Sequence, residues 1–235
     1  MKRAILISVI CLTVFVVLFT RESSAPQPET TVFVSPKSSP AAIKDVPFTP
    51  QAPFGGWDDP RQQDGCEEAS ALMAVRWARG ESLTKDEALR EMLAIADFEQ
   101  STYGSFHDTD AKDTVERIFN GYFHFASAKA VENISIEDIK NELYTGHLVL
   151  VPVNGQLLGN PNFTGAGPER HMLVIISYDS QKNQFTTNDP GTRRGKDYKY
   201  DSAVLQNALR EYPTGNHDPI TTRRTSMIVV ARDVR

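Results

Sequence analysis

Three apolar, β-branched runs dominate the second half of the chain: "HLVLVPV" (147–153), "HMLVIISY" (171–178) and "SMIVVA" (226–231). They leave no polar side for water, so each suits a strand in a sheet buried on at least one face. "QFTTND" (184–189) is a further strand, joined to the run before it by the turn "DSQKN". The first half has the helical period instead. Ala69, Leu72, Met73 and Trp77 share one face of a helix from Cys66 to Arg79, which Gly80 stops. Thr84 with Glu87 makes a capping box for a second helix with Leu89, Met92, Leu93 and Ala96 as its buried stripe. A third helix is expected from Thr109 to Phe119, ending at Asn120-Gly121, and a fourth after Ser135, ending before Gly146. Helices first and an antiparallel sheet second is an α+β architecture.

The N-terminus is of a different kind. Lys2 and Arg3 precede an apolar run from Ala4 to Thr20. As a helix that run would span about 26 Å, between a signal peptide and a short membrane span. Residues 1–25 are therefore expected to be a signal peptide or an N-terminal membrane anchor, with residues 4–20 as the possible tether. Either one puts the rest of the chain outside the cytoplasm. Residues 26–43 are rich in proline and serine and read as a linker without a core, and 44–235 as the folded domain. A net charge of −5, with the arginine pairs 193–194 and 223–224 isolated, argues against nucleic acid as a partner.

Only one cysteine, Cys66, stands outside the N-terminal apolar run, so an exported domain would carry an unpaired thiol. A cysteine attacks as thiolate, and a helix N-terminus favours the anion through its dipole and free N–H groups. Cys66 opens a helix, after a glycine that permits close approach. A nucleophilic thiolate needs an imidazole, and the imidazole an orienting group. Of five histidines, His171 opens the strand "HMLVIISY". If the hairpin turns near Ser180–Gln181, His171 faces positions 189–191, where Asp189 lies. Asn188 is the other candidate for the third member. Being neighbours in a strand, the two point to opposite faces, and one alone reaches His171. A lone buried cysteine is more often a small core residue than a nucleophile, and "NDPGT" is a good turn in its own right.

Four blocks in order, "VPFTPQ" (46–51), "GCEEASALM" (65–73), "GPERHMLVIISYD" (167–179) and "TNDPGT" (187–192), resemble the C39-like peptidases, papain-like cysteine peptidases. The resemblance runs from about Asp45 to Pro213. It implies a papain-like fold, N-terminal helices packed on a C-terminal antiparallel sheet, with Cys66 as nucleophile, His171 as general base and Asp189 orienting it. It further implies Gln51 in the oxyanion hole beside the Cys66 N–H. The 14 residues between Gln51 and Cys66 are more than such relatives usually have, so Gln62 or Gln63 is an alternative. "CEE" replaces the usual Cys-Gly-Pro, and negative charge there opposes a thiolate. The activity implied is hydrolysis of a peptide or protein substrate through an acyl-enzyme. The alternatives are a cell-wall amidase or acyltransferase, and a catalytically silent binding domain on a membrane stalk. No residue pattern calls for a metal or organic cofactor. "FHDTD" (106–110) lacks a metal-ligand spacing, and a helix N-terminus accounts for its acids. The Gly-rich segment 154–169 is either a flap over the site or a plain surface loop.

Overall fold

The computed structural model describes residues 42–233; the N-terminal apolar run and nearly all of the linker lie outside them. The elements in order are α1 (Pro60–Gln63), α2 (Cys66–Arg79), α3 (Lys85–Tyr103), α4 (Ala111–Asp113), β1 (Ala128–Glu132), α5 (Ile136–Tyr144), β2 (Leu148–Val153), β3 (His171–Asp179), β4 (Gln184–Asn188), β5 (Tyr198–Asp201), α6 (Ser202–Ala208) and β6 (Ser226–Val230). The strands form one antiparallel sheet in the order β1-β6-β2-β3-β4-β5. This is the expected α+β arrangement. Among the described residues, no helix is long and apolar enough to cross a membrane.

The uninterrupted apolar runs have a simple cause: the sheet is covered on both faces. Leu148 and Leu150, Met172 and Val174, and Ile228 and Val230 pack with α2 and α3. Their alternates Val149 and Val151, Leu173 and Ile175, and Met227 and Val229 pack with α5 and α6. A period-2 strand with helices on either side has no face left for polar residues.

The helix termini follow local chemistry. Gly80 closes α2 in the left-handed conformation, and Thr84–Glu87 and Ser135–Asp138 form full capping boxes for α3 and α5. Two expectations are corrected. The helix after Asp110 does not stop at Asn120-Gly121; after α4 it widens into π-helical turns over Thr114–Tyr122, with the Phe123 N–H reaching the Ile118 carbonyl at 3.0 Å. Those wide turns keep Ile118 and Phe119 in the core while the chain passes the glycine. The buried stripe of α3 is Ala88, Met92, Ile95, Ala96 and Glu99, with Leu89 and Leu93 only half-buried. The stripe is rotated by one residue and brings a carboxylate into the interior.

That carboxylate has company. Glu68 on α2 and Glu99 on α3 are both buried, and neither has a hydrogen-bond partner for its carboxyl oxygens. Burial first, and then the charge of Glu67, pushes Glu99 up to about 8. Burial and then Glu99 push Glu68 upward as well. A carboxyl whose folded-state pKa is raised stabilises the fold fully below its unfolded value, near 4.5, and loses that contribution as pH rises toward 8. Glu99→Gln is therefore expected to be more stable than wild type by about 1–3 kcal/mol at pH 8. The advantage should shrink toward pH 4.5. Urea unfolding midpoints at the two pH values would check this, and equal midpoints at pH 8 would refute it.

Candidate active site

Cys66 is the first residue of α2, after Gly65. The glycine is a packing requirement: a Cβ there would lie 2.6 Å from the Arg61 carbonyl oxygen. The thiol does not face outward, as a helix start in solvent would present it. It is 6% exposed and lines a cavity of about 200 Å³. His171, the first residue of β3, lines the same cavity, with Gln51, Gln63, Asp64, Asp108 and His217.

What brings α2 and β3 together is a gap in the sheet. β2 pairs with β3 through Pro152↔Met172, but the Pro152 carbonyl accepts from Arg210 on the side away from β3. The backbone groups of Met172 therefore point toward β4. There the register ends at Val174↔Asn188, and Pro190, without an N–H, follows. Helix α2 supplies the missing partners. The Ser70 hydroxyl donates to the Met172 carbonyl at 3.2 Å, and the Met172 N–H is hydrogen-bonded to the Cys66 sulfur.

His171 Nε2 lies 2.7 Å from Asp189 Oδ1, with both side chains buried. Burial alone would push the Asp189 carboxyl upward. The charge of His171 and hydrogen bonds from His171, Tyr200 and the Gly191 N–H outweigh it and hold the carboxyl below its ordinary value. An ionised carboxylate only accepts, so Nε2 carries the hydrogen and Nδ1 is the nitrogen left for the cavity. Tyr200 donates to Asp189 Oδ2 at 2.6 Å, and Asn160 donates to the Tyr200 hydroxyl at 2.7 Å. Phe163 stands edge-on to the imidazole with ring centres 5.6 Å apart. The segment 154–169 thus contributes Asn160 and Phe163 to the inner wall of the site.

Asn188 and Asp189 do diverge. The Asn188 amide donates to the Pro47 carbonyl at 3.2 Å and accepts from the Asp197 N–H, far from His171. A bulge between Ile175 and Ser177 shifts the hairpin register by one residue, which simple counting from the turn does not foresee.

The glutamines are less free than the resemblance implies. Gln51 Nε2 donates to the carbonyls of Gln62 at 3.0 Å and Gln63 at 2.6 Å, which engages both its N–H groups. Gln63 donates to the Trp57 carbonyl. Gln62 is buried with no partner for its Oε1.

The thiol also departs from expectation. Cys66 Sγ lies 2.9 Å from Glu67 Oε2. Burial, then the Glu67 charge, pushes the thiol well above its ordinary value, and the Met172 N–H only partly opposes this. Glu67 is turned inward and not toward solvent at the helix start.

Other residues of the wall carry no signal in the sequence. Asp108, read as a helix-start acid, instead accepts from the His217 backbone N–H and lies 3.0 Å from His217 Nδ1 and 3.3 Å from Arg170 Nε. Asp110 is the N-cap of α4. Asp64 sits 3.6 Å from His217 and 3.8 Å from His107. These residues are scattered over the chain at 64, 107–108, 170 and 217, and no spacing joins them. Among the described residues, no cluster of histidine, cysteine and acidic side chains is arranged to hold a metal ion.

The Cys66 cavity adjoins two further hollows that share walls in turn and together make a trough. A neighbouring hollow of about 200 Å³ shares Gln51, Gln63 and Pro168 with it and adds Trp57, Phe163 and Gly191. A third, of about 600 Å³, shares Trp57, Thr164 and Gly191 and continues to Arg193 and Arg194. Trp57 is thereby a wall of this trough.

The model of the peptidase C39 like family matches residues 43–216. Among solved structures, the chain is similar to a crystal structure assigned as a C39-like peptidase from Bacillus anthracis. The TM-score is 0.51 and the identity 17%, over 85% of this chain and 100% of that one. No curated protein matches.

Gly191 gives the imidazole its place. A Cβ at 191 would lie 2.9 Å from His171 Cε1 and 2.9 Å from Phe163 Cε1. Gly191→Ala is expected to push the ring off Asp189 without unfolding the domain. The low-field proton NMR signal of His171 Nε2–H should shift or vanish, while far-UV circular dichroism stays native. An unchanged signal would show that the ring tolerates the methyl group.

Proposed function

The chain belongs to the peptidase C39 like family, and from that premise we propose that it is a cysteine peptidase working through Cys66, His171 and Asp189. One observation carries the reading. A thiol at a helix N-terminus and an imidazole held by a buried, ionised aspartate line a single cavity. His171 Nδ1 takes the Cys66 proton, and Sγ adds to the substrate carbonyl carbon. The oxyanion is met by the backbone N–H of Cys66, which the helix leaves free. Gln51 reaches it only by giving up one of its two carbonyl bonds, so its resting part is to hold residues 62–63 beside the nucleophile. Imidazolium then protonates the leaving amine, and water on the same path releases the acyl group from sulfur.

The trough past Trp57 toward Arg193 and Arg194 supports an extended peptide over a small amide. The charged N-terminal apolar run supports an extracytoplasmic enzyme, tethered or secreted. One observation favours a second reading, a domain that binds peptide without turnover: the thiol is buried and bonded to a carboxylate.

Turnover separates the two. The full-length chain, incubated with a peptide library and followed by mass spectrometry, should cleave. Cys66→Ser and His171→Ala should each lose at least about a thousandfold in rate. A thioester should be trapped on Cys66 by acid quench. Cleavage that survives Cys66→Ser would discard the assignment, and retention of peptides without cleavage would favour the binding domain.

A further inference from the structure

Glu67 has no part in the steps above, yet its side chain is bonded to the nucleophile. Cys66 Sγ–H donates to Glu67 Oε2 at 2.9 Å, and the Tyr212 hydroxyl donates to Oε1 at 2.7 Å. All three side chains are buried, Glu67 at 2% exposure. A glutamate in the first turn of a helix serves the dipole equally well from the surface. This one is instead turned in to grip the thiol, with a tyrosine fixing its far oxygen.

We propose that Glu67 is a positioning residue that governs the proton of the nucleophile. As carboxylate it keeps Cys66 a thiol; as carboxylic acid it turns its own proton toward sulfur and lets the thiolate form. The inference rests on Cys66 being the nucleophile. The protons balance simply. The resting site holds a thiol, a carboxylate and a neutral imidazole. Uptake of one proton from water converts it to thiolate, carboxylic acid and imidazolium. The thiol proton passes to His171 Nδ1, and the proton from water sits on Glu67.

The surroundings place this change near neutrality. Tyr212 and the Cys66 thiol donate to Glu67 and favour its ionised form. Asp108 from the loop before α4, Glu99 from α3 and Glu68 on the same helix oppose it. Asp64 adds to the negative charge, and Arg170 and His217 are engaged with Asp108. Burial outweighs the other influences, with Asp108 next, and Glu67 is pushed up to about 7. Nucleophilicity should therefore fall as pH rises through neutrality, the reverse of a free thiol.

The test is the pH dependence of iodoacetamide alkylation in the full-length chain, read at Cys66 by peptide mass spectrometry between pH 5.5 and 8.5. In wild type the rate is expected to fall about tenfold from pH 6 to pH 8, as one group with a pKa near 7 titrates. Glu67→Gln should abolish the fall. Tyr212→Phe, which removes a donor to the carboxylate, should move the fall to higher pH. A merely structural role for Glu67 would move neither. A wild-type rate that rises steadily with pH overturns the proposal, as does a fall that persists in folded Glu67→Gln. If Glu67→Gln does not fold, a fall at unchanged pH in Tyr212→Phe overturns it. His171→Ala, run in parallel, tells the two readings apart. Reactivity that needs His171 but ignores Glu67 sinks this inference alone, whereas reactivity indifferent to His171 sinks the peptidase reading beneath it.

Discussion

The site depends on two unpaired backbone groups. Where β4 turns away after Asn188, the N–H and C=O of Met172 lose their sheet partners in the middle of a buried structure. An orphaned peptide group there would cost about 1–3 kcal/mol. The N-terminal turn of α2 satisfies both, through the Ser70 hydroxyl and the Cys66 sulfur. The bonds that dock the helix on the sheet are thus the bonds that set the thiol against the start of β3. Pro152 and Pro190, which cannot donate, leave the place open. Gly65, which a side chain would drive into Arg61, lets the helix begin there.

The opposite face of the sheet supplies the other half. His171 and Asp189 stand among residues that pack toward α5 and α6, with Tyr200, Asn160 and Phe163 around them. The aspartate is kept ionised by three donors, and the ring is confined by Phe163 on one side and by the room at Gly191 on another. The thiol comes from one layer and the imidazole from the other. They meet because β3 begins at His171, beside the helix start. Neither layer can shift along the sheet without breaking apposition, so the core that buries Val174 and Ile175 on opposite faces also sets the reach between sulfur and imidazole.

Much of this was legible from local patterns. The capping boxes, Gly80 and the apolar runs mark α2, α3, α5 and the central strands, because each obeys a rule confined to a few neighbouring residues. Hairpin counting also placed Asp189 within reach of His171, although the bulge at Ile176 altered the register. What local patterns do not carry is convergence from distant segments. Asp64, Asp108, Arg170 and His217 meet at one wall with no spacing in common. The commitment of Gln51 to the carbonyls of residues 62–63 depends on how a loop folds back. β1 and β5 carry no such signal because "AKAVE" and "YKYD" are short edge strands without the apolar run of a central one. Glu67 and Glu68 look like ordinary acids of a helix N-terminus, and nothing in "CEE" says that both turn inward.

That inward turn is the feature least explained by folding. Glu67, Glu68 and Glu99 are buried within one helix pair, and two of them lack hydrogen-bond partners altogether. Apolar residues of similar size would fit such a place better, since ion burial opposes folding even where charges are paired. Acids kept neutral by burial are a different matter: they hold protons near neutral pH, where a surface carboxylate holds none. When ionised, each raises the affinity of its neighbours for protons, Glu67 acting on Glu99, both of them on Glu68, and Asp108 on Glu67. The group at the end of that chain touches the thiol. A fold that accepts destabilising acids beside its only described cysteine departs from the rules of core packing where functional sites usually do. The physical consequence is local, because Glu67 alone among these acids has an oxygen on sulfur, and burial brings its pKa to about 7.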